Sequence, residues 1–333
     1  IIDLKKEELI DGILSLRLYD AVFEKIKNNE QVLIFINRKG YSNQLICRKC
    51  GKTLNCLNCS VSMTYYKSDE SARCHYCGSS VKRFTCECGS DDFIDFGAGT
   101  EKAYDTFNRF FPNQVLKLDA DTVASVKSME GMLNDFKSGK YKILVGTQLI
   151  SKGLNFPDVT LVGVLNIDNI FSIPDFRNNE KAYQLLTQIS GRGGRFNKDS
   201  KVLIQTFNPD MPLFSMIGKD DFYDYELSNR KLLKYPPFTR MVRFIFSHAK
   251  ESVAKVVSKS VEGQLRKQPD IEVLGSAPAP VYKIKNRYRF HIIVKSYKIS
   301  LITKSIEISK REVESSKINT LELKIDVDPY FFM

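Results

Sequence analysis

Two arginines three residues apart end the segment with the clearest potential for chemistry. This segment reads Gln188-Ile189-Ser190-Gly191-Arg192-Gly193-Gly194-Arg195 and follows a predicted helix over residues 178–190. Arginine is permanently charged and forked, so the pair suits an oxygen-rich polyphosphate, and it can stabilise charge on a phosphoryl group in transfer. Taken by itself, the segment is more typical of a solvated basic helix terminus.

A second polar segment, earlier in the chain, favours the chemical interpretation. Thr147-Gln148-Leu149-Ile150-Ser151-Lys152-Gly153 follows the apolar run 142–146, and another apolar run, 159–165, leads to Asp168. Short, continuous, β-branched runs predict parallel strands covered on both faces. We expect both glycine-containing segments just past the carboxyl ends of such strands, where open α/β sheets bind ligands.

Eight cysteines form four close pairs in a stretch with few apolar residues. The pairs are Cys47 and Cys50, Cys56 and Cys59, Cys74 and Cys77, and Cys86 and Cys88. Thiolates two residues apart on a tight turn can supply two of the four tetrahedral ligands of Zn²⁺, so four pairs predict two Cys₄ sites without His75. Free or redox cysteines at these spacings are the weaker alternative. The spacing alone leaves open which pairs share an ion.

The order of these motifs resembles one known family. Residues 147–153 and 188–195 resemble motifs V and VI of superfamily 2 helicases, which lie on the second RecA-like lobe. Further segments of the same order are residues 31–41, 97–101 and 156–161, Asp175-Phe176-Arg177 and Asp326-Val327-Asp328-Pro329. Together with the cysteine pairs, they resemble the primosomal protein N′ family, bacterial replication-restart helicases, over nearly the whole chain.

The resemblance implies roles for individual residues. Gln188, Arg192 and Arg195 are expected to act in catalysis, facing a nucleotide bound on the other lobe, with Arg195 as the transition-state arginine. Gly153, Arg192 and Arg195 are the expected nucleotide-binding residues. In the lobe, the expected DNA contacts are Gly99, Thr100, Thr147, Gln148 and Lys152.

The resemblance also implies a nested pairing of the cysteines. One ion would be held by Cys47, Cys50, Cys86 and Cys88, and the other by Cys56, Cys59, Cys74 and Cys77. The last pair here is Cys-x-Cys, one residue shorter than in the family, so we expect two zinc ions, of which the outer one is more readily chelated. The family implies that the cysteine module contacts partner proteins and supports unwinding. The alternative is that the module has a purely structural role.

Two motifs needed for phosphoryl transfer do not occur in this sequence. There is no Gly-x-x-x-x-Gly-Lys-Ser/Thr phosphate loop and no Asp-Glu-x-His magnesium box. In the family these lie on a preceding lobe, beside an N-terminal DNA-binding domain. With no initiator Met, the chain is expected to be a fragment that hydrolyses no ATP by itself, and ATP with Mg²⁺ is expected only in the complete enzyme.

A basic domain is predicted at the C-terminal end. The hydrophobic pattern gives strand 239–247, helix 250–266, strands 271–276 and 288–294, helix 300–313 and strand 321–327, a split βαβ-like α+β order. Residues 236–333 carry 18 Lys and Arg against 10 Asp and Glu.

A cluster in that domain mixes cations with aromatic residues, which suits a phosphate backbone and unpaired bases, although a solubility device on an edge strand is the alternative. Its expected DNA contacts are Lys283, Lys285, Arg287, Tyr288 and Arg289. By resemblance, this neighbourhood also binds the acidic tail of single-stranded DNA-binding protein, with Arg287 as the anchor.

The predicted fold class is an α/β RecA-like helicase lobe with an inserted two-zinc cysteine module and a C-terminal α+β domain. The lobe is assigned to residues 1–45 and 92–208, the module to 46–91, a helical linker to 209–235 and the C-terminal domain to 236–333. Eight cysteines without a signal peptide indicate a reducing compartment, and no apolar run is long enough to span a membrane, so a cytoplasmic protein is expected. The net charge of +11 indicates a polyanionic partner.

Two functions fit these observations. The first is part of an ATP-dependent 3′→5′ helicase that recognises stalled or branched forks and starts primosome assembly, with branched and single-stranded DNA, single-stranded DNA-binding protein and other primosome proteins as partners. The second is a non-enzymatic zinc-containing module for DNA binding and recruitment. An enzyme with catalytic cysteines is a weak third, because the cysteines are used in pairs and the chain has three histidines.

Overall fold

The computed structural model describes residues 1–37, 44–47, 50, 52, 54–59, 61–66, 69–74, 77–96, 100–119, 123, 125–147, 156–165, 167–171, 175–193 and 200–330, with the backbone alone for 44, 46, 94–96, 192 and 193. The chain divides into two compact units. The first comprises Ile1–Asn43, Phe96–Ser172 and Arg177–Phe222, and the second Gln44–Asp95, Ile173–Phe176 and Tyr223–Met333.

A six-stranded parallel sheet forms the centre of the first unit. In spatial order its strands are β1 (Ile2–Asp3), β13 (Lys201–Thr206), β12 (Val159–Leu165), β4 (Gln31–Ile36), β11 (Ile143–Gly146) and β10 (Val115–Leu118). The apolar runs of the sequence become the central strands, which confirms the prediction of parallel strands covered on both faces.

Strand β4 shows how both faces are covered. Val32, Ile34 and Ile36 pack in a core with helices α1 (Leu16–Lys27) and α2 (Thr100–Phe110), whereas Leu33 and Phe35 pack with α3 (Val126–Lys137) and α4 (Asn178–Gly193). Because side chains alternate along a strand, a strand between two helical layers needs apolar residues at every position. The predicted helix over 178–190 is confirmed and continues three residues further.

The N-terminal residues contain short strands that the hydrophobic pattern did not predict. Strands β2 (Leu9–Ile10) and β3 (Leu14–Ser15) pair antiparallel, and β1 adds an edge strand to the sheet. A buried amide network explains this difference. The Gln205 Oε1 accepts hydrogen bonds from the backbone N–H and the hydroxyl of Ser15, at 2.8 and 2.9 Å, and the Gln205 Nε2 donates to the carbonyl of Ile13 at 2.8 Å.

The cysteine module of the second unit is built from short strands. Strand β5 (Gln44–Cys47) pairs with β9 (Phe93–Phe96), and β6 (Thr64–Tyr66), β7 (Ser71–Arg73) and β8 (Ser80–Val81) form an antiparallel sheet. The strand 93–96 pairs with the strand that enters the module and lies outside the six-stranded sheet.

The C-terminal residues confirm the predicted β-α-β-β-α-β order. The elements are β14 (Arg240–His248), α6 (Glu251–Leu265), β15 (Glu272–Ile284), β16 (Arg287–Ser296), α7 (Ile299–Ser315) and β17 (Glu322–Val327), with sheet order β15-β16-β14-β17. The third element is longer than predicted, because β15 is an edge strand and can therefore accept Pro278 and Pro280. Its register shifts on either side of Ala277 and Pro278.

Between β13 and β14 the chain forms a 3₁₀ helix (Pro212–Met216) and α5 (Asp221–Leu232), where a helical linker was predicted. Leu213, Phe214 and Phe222 pack into the core of the first unit.

None of the helices in the described part of the chain combines the length and the apolar character needed to cross a membrane.

Candidate functional site

The eight cysteines assemble into two clusters. Cys47, Cys50, Cys86 and Cys88 form the outer cluster, and Cys56, Cys59, Cys74 and Cys77 form the inner cluster, with the sulfur atoms of each cluster within 4.8 Å of one another. This is the nested grouping that the family resemblance implied.

The distances between the sulfur atoms fit a zinc ion. The pairs Cys47–Cys88, Cys50–Cys86 and Cys56–Cys77 are 3.7, 3.4 and 3.6 Å apart. A tetrahedral zinc ion at about 2.3 Å from each sulfur separates the sulfurs by about 3.8 Å. Both clusters therefore have the ligand type, number and spacing of a structural Zn²⁺ site.

The shortened pair keeps the turn that a zinc knuckle needs. The amide of Gly89, directly after Cys88, donates to the carbonyl of Cys86 at 2.8 Å, and Gly89 has a φ of +80°. Gly78 has the same position after Cys77, with a φ of +76°. Glycine suits both positions because it adopts positive φ without steric cost.

The two clusters differ in exposure. Cys56, Cys59 and Cys74 of the inner cluster are buried, whereas Cys50 and Cys88 of the outer cluster are exposed. An ion in the outer cluster would therefore be the more accessible of the two to a chelator.

Hydrogen bonds and burial set different proton affinities within the inner cluster. The backbone amide of Ser79 lowers the pKa of the Cys77 thiol to about 7. Burial raises the pKa of Cys56 to about 12, and neighbouring thiols add to this effect. A cation is therefore required before all four thiols lose their protons, so metal binding releases protons.

Buried polar side chains follow the carboxyl ends of neighbouring strands in the first unit. Asn37 follows β4, is 1% exposed, and has neither side-chain polar atom hydrogen-bonded within the described part of the chain. Asp119 follows β10, and Thr147, which is half-buried, follows β11 as predicted. This edge has the polar lining expected of a ligand site in an open α/β sheet.

Thr100, a predicted DNA contact, uses its side chain inside the protein. It is 2% exposed, and its hydroxyl donates to the Asp119 carboxylate at 2.6 Å. A DNA contact from this position would have to come from its backbone. Sequence reasoning missed Asp119, although an acidic residue directly after an apolar strand is a signal that could have identified it.

Asp168 also has a structural contact that the sequence did not reveal. Its carboxylate accepts from the hydroxyl of Thr206 at 2.8 Å, the amide of Phe207 at 3.2 Å and the side-chain amide of Asn208 at 3.0 Å. The carboxylate therefore fixes the chain where it leaves β13.

The described part of the segment 188–195, residues 188–193, lies elsewhere than predicted. Helix α4 returns the chain from the carboxyl end of β12 to the start of the parallel strand β13, so this segment precedes a strand and does not follow one. Gln188 is exposed in the last turns of α4, and Arg192 lies on the same helix. The side chain of Arg192 is outside the described part of the structure, as are Gly99, Gln148, Lys152, Gly153 and Arg195.

The predicted basic cluster lies at the tip of the β15–β16 hairpin. Lys285 is exposed, and the Lys283 Nζ is 5.2 Å from the ring centre of Tyr288. The side chains of Arg287 and Arg289 are held by hydrogen bonds to backbone carbonyls. Arg287 donates to the carbonyls of Ser247 and Thr320 at 2.7 and 2.8 Å, and Arg289 donates to that of Val281 at 3.0 Å.

Three family profiles match successive parts of the chain. The profile for the PriA DNA helicase cysteine-rich region domain matches residues 56–82, and that for the helicase conserved C-terminal domain matches 93–197. The profile for the primosomal protein N C-terminal domain matches residues 231–330.

Complete proteins are similar over the same region. The replication restart protein PriA of Bacillus subtilis is 37% identical over 344 residues, which cover 98% of this chain and 42% of that protein. The protein of the same name from Borreliella burgdorferi is 34% identical over 340 residues, which cover 99% of this chain and 50% of that protein. The one from Synechocystis is 33% identical over 330 residues, which cover 96% of this chain and 39% of that protein. The chain thus spans half or less of the length of each of these relatives.

The RecA-like lobe, the two Cys₄ clusters and the basic C-terminal domain occur in the order that these profiles and relatives share, and the chain belongs to the primosomal protein N′ (PriA) family of replication-restart proteins.

Proposed function

We propose that this chain is the second helicase lobe, with its cysteine-rich and C-terminal domains, of an ATP-dependent 3′→5′ DNA helicase. In this role the complete protein recognises stalled or branched forks and starts primosome assembly for replication restart. The chain by itself carries half of an ATPase site.

The outward-facing side chain of Gln188, in the last turns of helix α4, is the observation that carries this proposal. Ala182, Leu186 and Ile189 are buried against the sheet, whereas Gln188 faces outward. Position 192 follows Gln188 by four residues, a spacing that places two positions on the same face of a helix. Since the nucleotide would be held by the other lobe, the catalytic residues need an outward face and not the carboxyl edge of their own sheet.

Each lobe then has a separate task. The preceding lobe holds ATP and Mg²⁺, and this chain supplies Gln188, Arg192 and Arg195 across the cleft, with Gly153 close to the nucleotide. Arg195 stabilises the charge that develops on the γ-phosphoryl group. DNA binding is coupled to this cleft by Thr147, Gln148 and Lys152. The DNA phosphates are contacted by Gly99 and the backbone of Thr100.

The remaining domains hold metal, DNA and partner proteins. Two Zn²⁺ ions complete the cysteine module, whose sulfur spacing supports this assignment. The β15–β16 hairpin contacts single-stranded or branched DNA, and its neighbourhood binds the acidic tail of single-stranded DNA-binding protein.

Replacement of the transition-state arginine tests the proposal. In the complete protein, where this chain is accompanied by the lobe with the phosphate loop, we expect Arg195→Ala to lower kcat for DNA-stimulated ATP hydrolysis by about 10³-fold or more. The affinity for DNA should stay near that of the wild type, because the guanidinium faces the nucleotide. Steady-state ATPase rates and fluorescence anisotropy with a forked oligonucleotide measure the two quantities.

Arg17→Ala is the matched control, since Arg17 is an exposed arginine on α1 of the same lobe. Its ATPase rate and DNA affinity should equal those of the wild type. An equal loss of ATPase activity and DNA binding in Arg195→Ala would assign this arginine a structural role. An unchanged ATPase rate would show that Arg195 is not the transition-state arginine, and no ATPase activity in the wild-type complete protein would favour the non-enzymatic recruitment module.

A further inference from the structure

The tip of the β15–β16 hairpin lies on one knuckle of the inner cysteine cluster. The turn residues Lys285 and Asn286 both have positive φ, 47° and 59°, as a two-residue hairpin turn of type I′ requires. Ile284, next to the turn, packs in the small apolar core that contains Cys56 and Cys59. The C-terminal domain therefore contacts the knuckle Cys56–Cys59 directly.

Three hydrogen bonds fix this contact. The backbone N–H of Lys285 donates to the Cys59 Sγ at 3.3 Å. The backbone N–H of Asn286 donates to the carbonyl of Asn58 at 2.8 Å, and the Asn286 Nδ2 donates to the Asn58 Oδ1 at 3.1 Å. The register of the hairpin on the knuckle is thus set by backbone groups and one side-chain amide.

The donor to Cys59 differs from the donors to the neighbouring thiols. Cys56 and Cys77 accept amide hydrogen bonds from Asn58 and Ser79, each two residues further along its own knuckle. Cys59 accepts its bond from Lys285, 226 residues further along the chain. Hydrogen bonds to ligand atoms orient them and stabilise the charge of the coordinating form.

We propose that the β15–β16 turn is part of the inner metal site, so that the metal and the basic hairpin hold each other in place. The Lys285 amide stabilises the Cys59 thiolate, and the metal-bound knuckle in turn provides the surface on which the hairpin turn rests. Because such coupling is reciprocal, loss of the metal destabilises the hairpin on the knuckle. Loss of the turn lowers the affinity for the metal by the same factor. This coupling requires zinc in the inner cluster, as in the proposed function, and does not require helicase activity.

Hydrogen exchange tests the effect of the metal on the hairpin. In the double variant Cys74→Ser/Cys77→Ser, which removes two inner ligands that do not belong to the contacted knuckle, we expect the amides of Lys285 and Asn286 to exchange on the order of 10-fold faster. The outer double variant Cys86→Ser/Cys88→Ser is the matched control, and its hairpin should exchange at the wild-type rate. Equal exchange at these two amides in both variants would overturn the proposal.

Metal release tests the effect of the hairpin on the metal. Lys285→Pro removes the N–H donor and is incompatible with a φ of 47°, so we expect the inner zinc to transfer to a chromogenic chelator about 10-fold faster or more. Asn286→Gly keeps the turn and removes only the side-chain bond, so its inner zinc should leave about threefold faster. If Lys285→Pro does not fold, Asn286→Gly still tests the effect of the hairpin on the metal.

The outer zinc provides the internal control in both variants, since its release should stay at the wild-type rate. Lys310→Ala, at an exposed position on α7, should leave both ions unaffected. Release of the inner ion at the wild-type rate in Asn286→Gly and in folded Lys285→Pro would contradict the proposal.

Discussion

The basic residues of the β15–β16 hairpin divide into those held by the fold and those available to a partner. Arg287 donates to two backbone carbonyls, and Arg289 to one, whereas the side chain of Lys285 is exposed. All of these residues were predicted from sequence as DNA contacts on equal terms. Their environments now predict different consequences of substitution.

Lys285→Ala should weaken binding to a single-stranded oligonucleotide and make the dependence of log Kobs on log salt concentration shallower by about 0.7, the loss of one phosphate contact. Its free energy of unfolding should stay within about 0.5 kcal/mol of the wild type, because the side chain is exposed. Arg287→Ala should instead lower the free energy of unfolding by about 1–3 kcal/mol, because two carbonyls lose their guanidinium donor. Salt titrations of binding and urea denaturation measure these effects.

Lys310→Ala, at an exposed position on α7, is the control and should change neither quantity. A salt dependence that Lys285→Ala leaves unchanged would remove this lysine from the DNA interface.

At the scale of elements, the glycine in the middle of β12 sets how closely α1 approaches the sheet. A Cβ at Gly163 would lie 2.8 Å from the Ile34 Cδ1 and 3.1 and 3.2 Å from the two methyl groups of Leu18. Both neighbours are fully buried, so neither can move without repacking the core. Gly163 thus allows β12, β4 and α1 to pack closely at this point.

Gly163→Ala should therefore lower the free energy of unfolding of the first unit by about 1–3 kcal/mol through overpacking. Urea denaturation gives this quantity. In an Ile34→Val background, which removes the nearest methyl group, the same substitution should cost less, and the difference is the coupling energy of the pair. Identical costs in the two backgrounds would show that the Ile34 methyl group is not the obstacle.

The elements most accurately predicted from sequence are those whose pattern is local. The apolar runs 142–146 and 159–165 became β11 and β12, and the predicted helix over 178–190 became α4, because apolar runs and helical spacing act within one element. The length of β15 was predicted wrongly. It depends on neighbours that are distant in sequence, since an edge position permits prolines that an inner strand would exclude.

The candidate site follows the same division. Cysteine type and spacing predicted two metal sites, but the assignment of pairs to each site came from the family resemblance. The hydrogen bonds from Thr100 to Asp119 and from Lys285 to Cys59 join residues of different elements, so no local sequence pattern indicates them. The expected position of the segment 188–195 was wrong for its described residues, 188–193, because a helix that returns the chain to a parallel strand carries its last residues away from the carboxyl edge.

At the scale of the whole molecule, two metal sites of unequal exposure should make chelation sequential. Metal analysis should give two zinc ions per chain, and a chelator should remove the outer ion first, because Cys50 and Cys88 are exposed and most of the inner ligands are buried. Release monitored with a chromogenic chelator should therefore have two phases. A single ion per chain would mean that the shortened pair Cys86 and Cys88 does not ligate, and earlier loss of the inner ion would contradict this account.

The division of the ATPase site between two lobes is the central claim of the proposed mechanism. Its most direct test is DNA-stimulated ATP hydrolysis by the purified 333-residue chain, measured beside the complete protein that carries the phosphate-loop lobe. We expect turnover in the complete protein and none above background in the 333 residues. DNA-stimulated turnover by the 333 residues at the rate of the complete protein would contradict the claim.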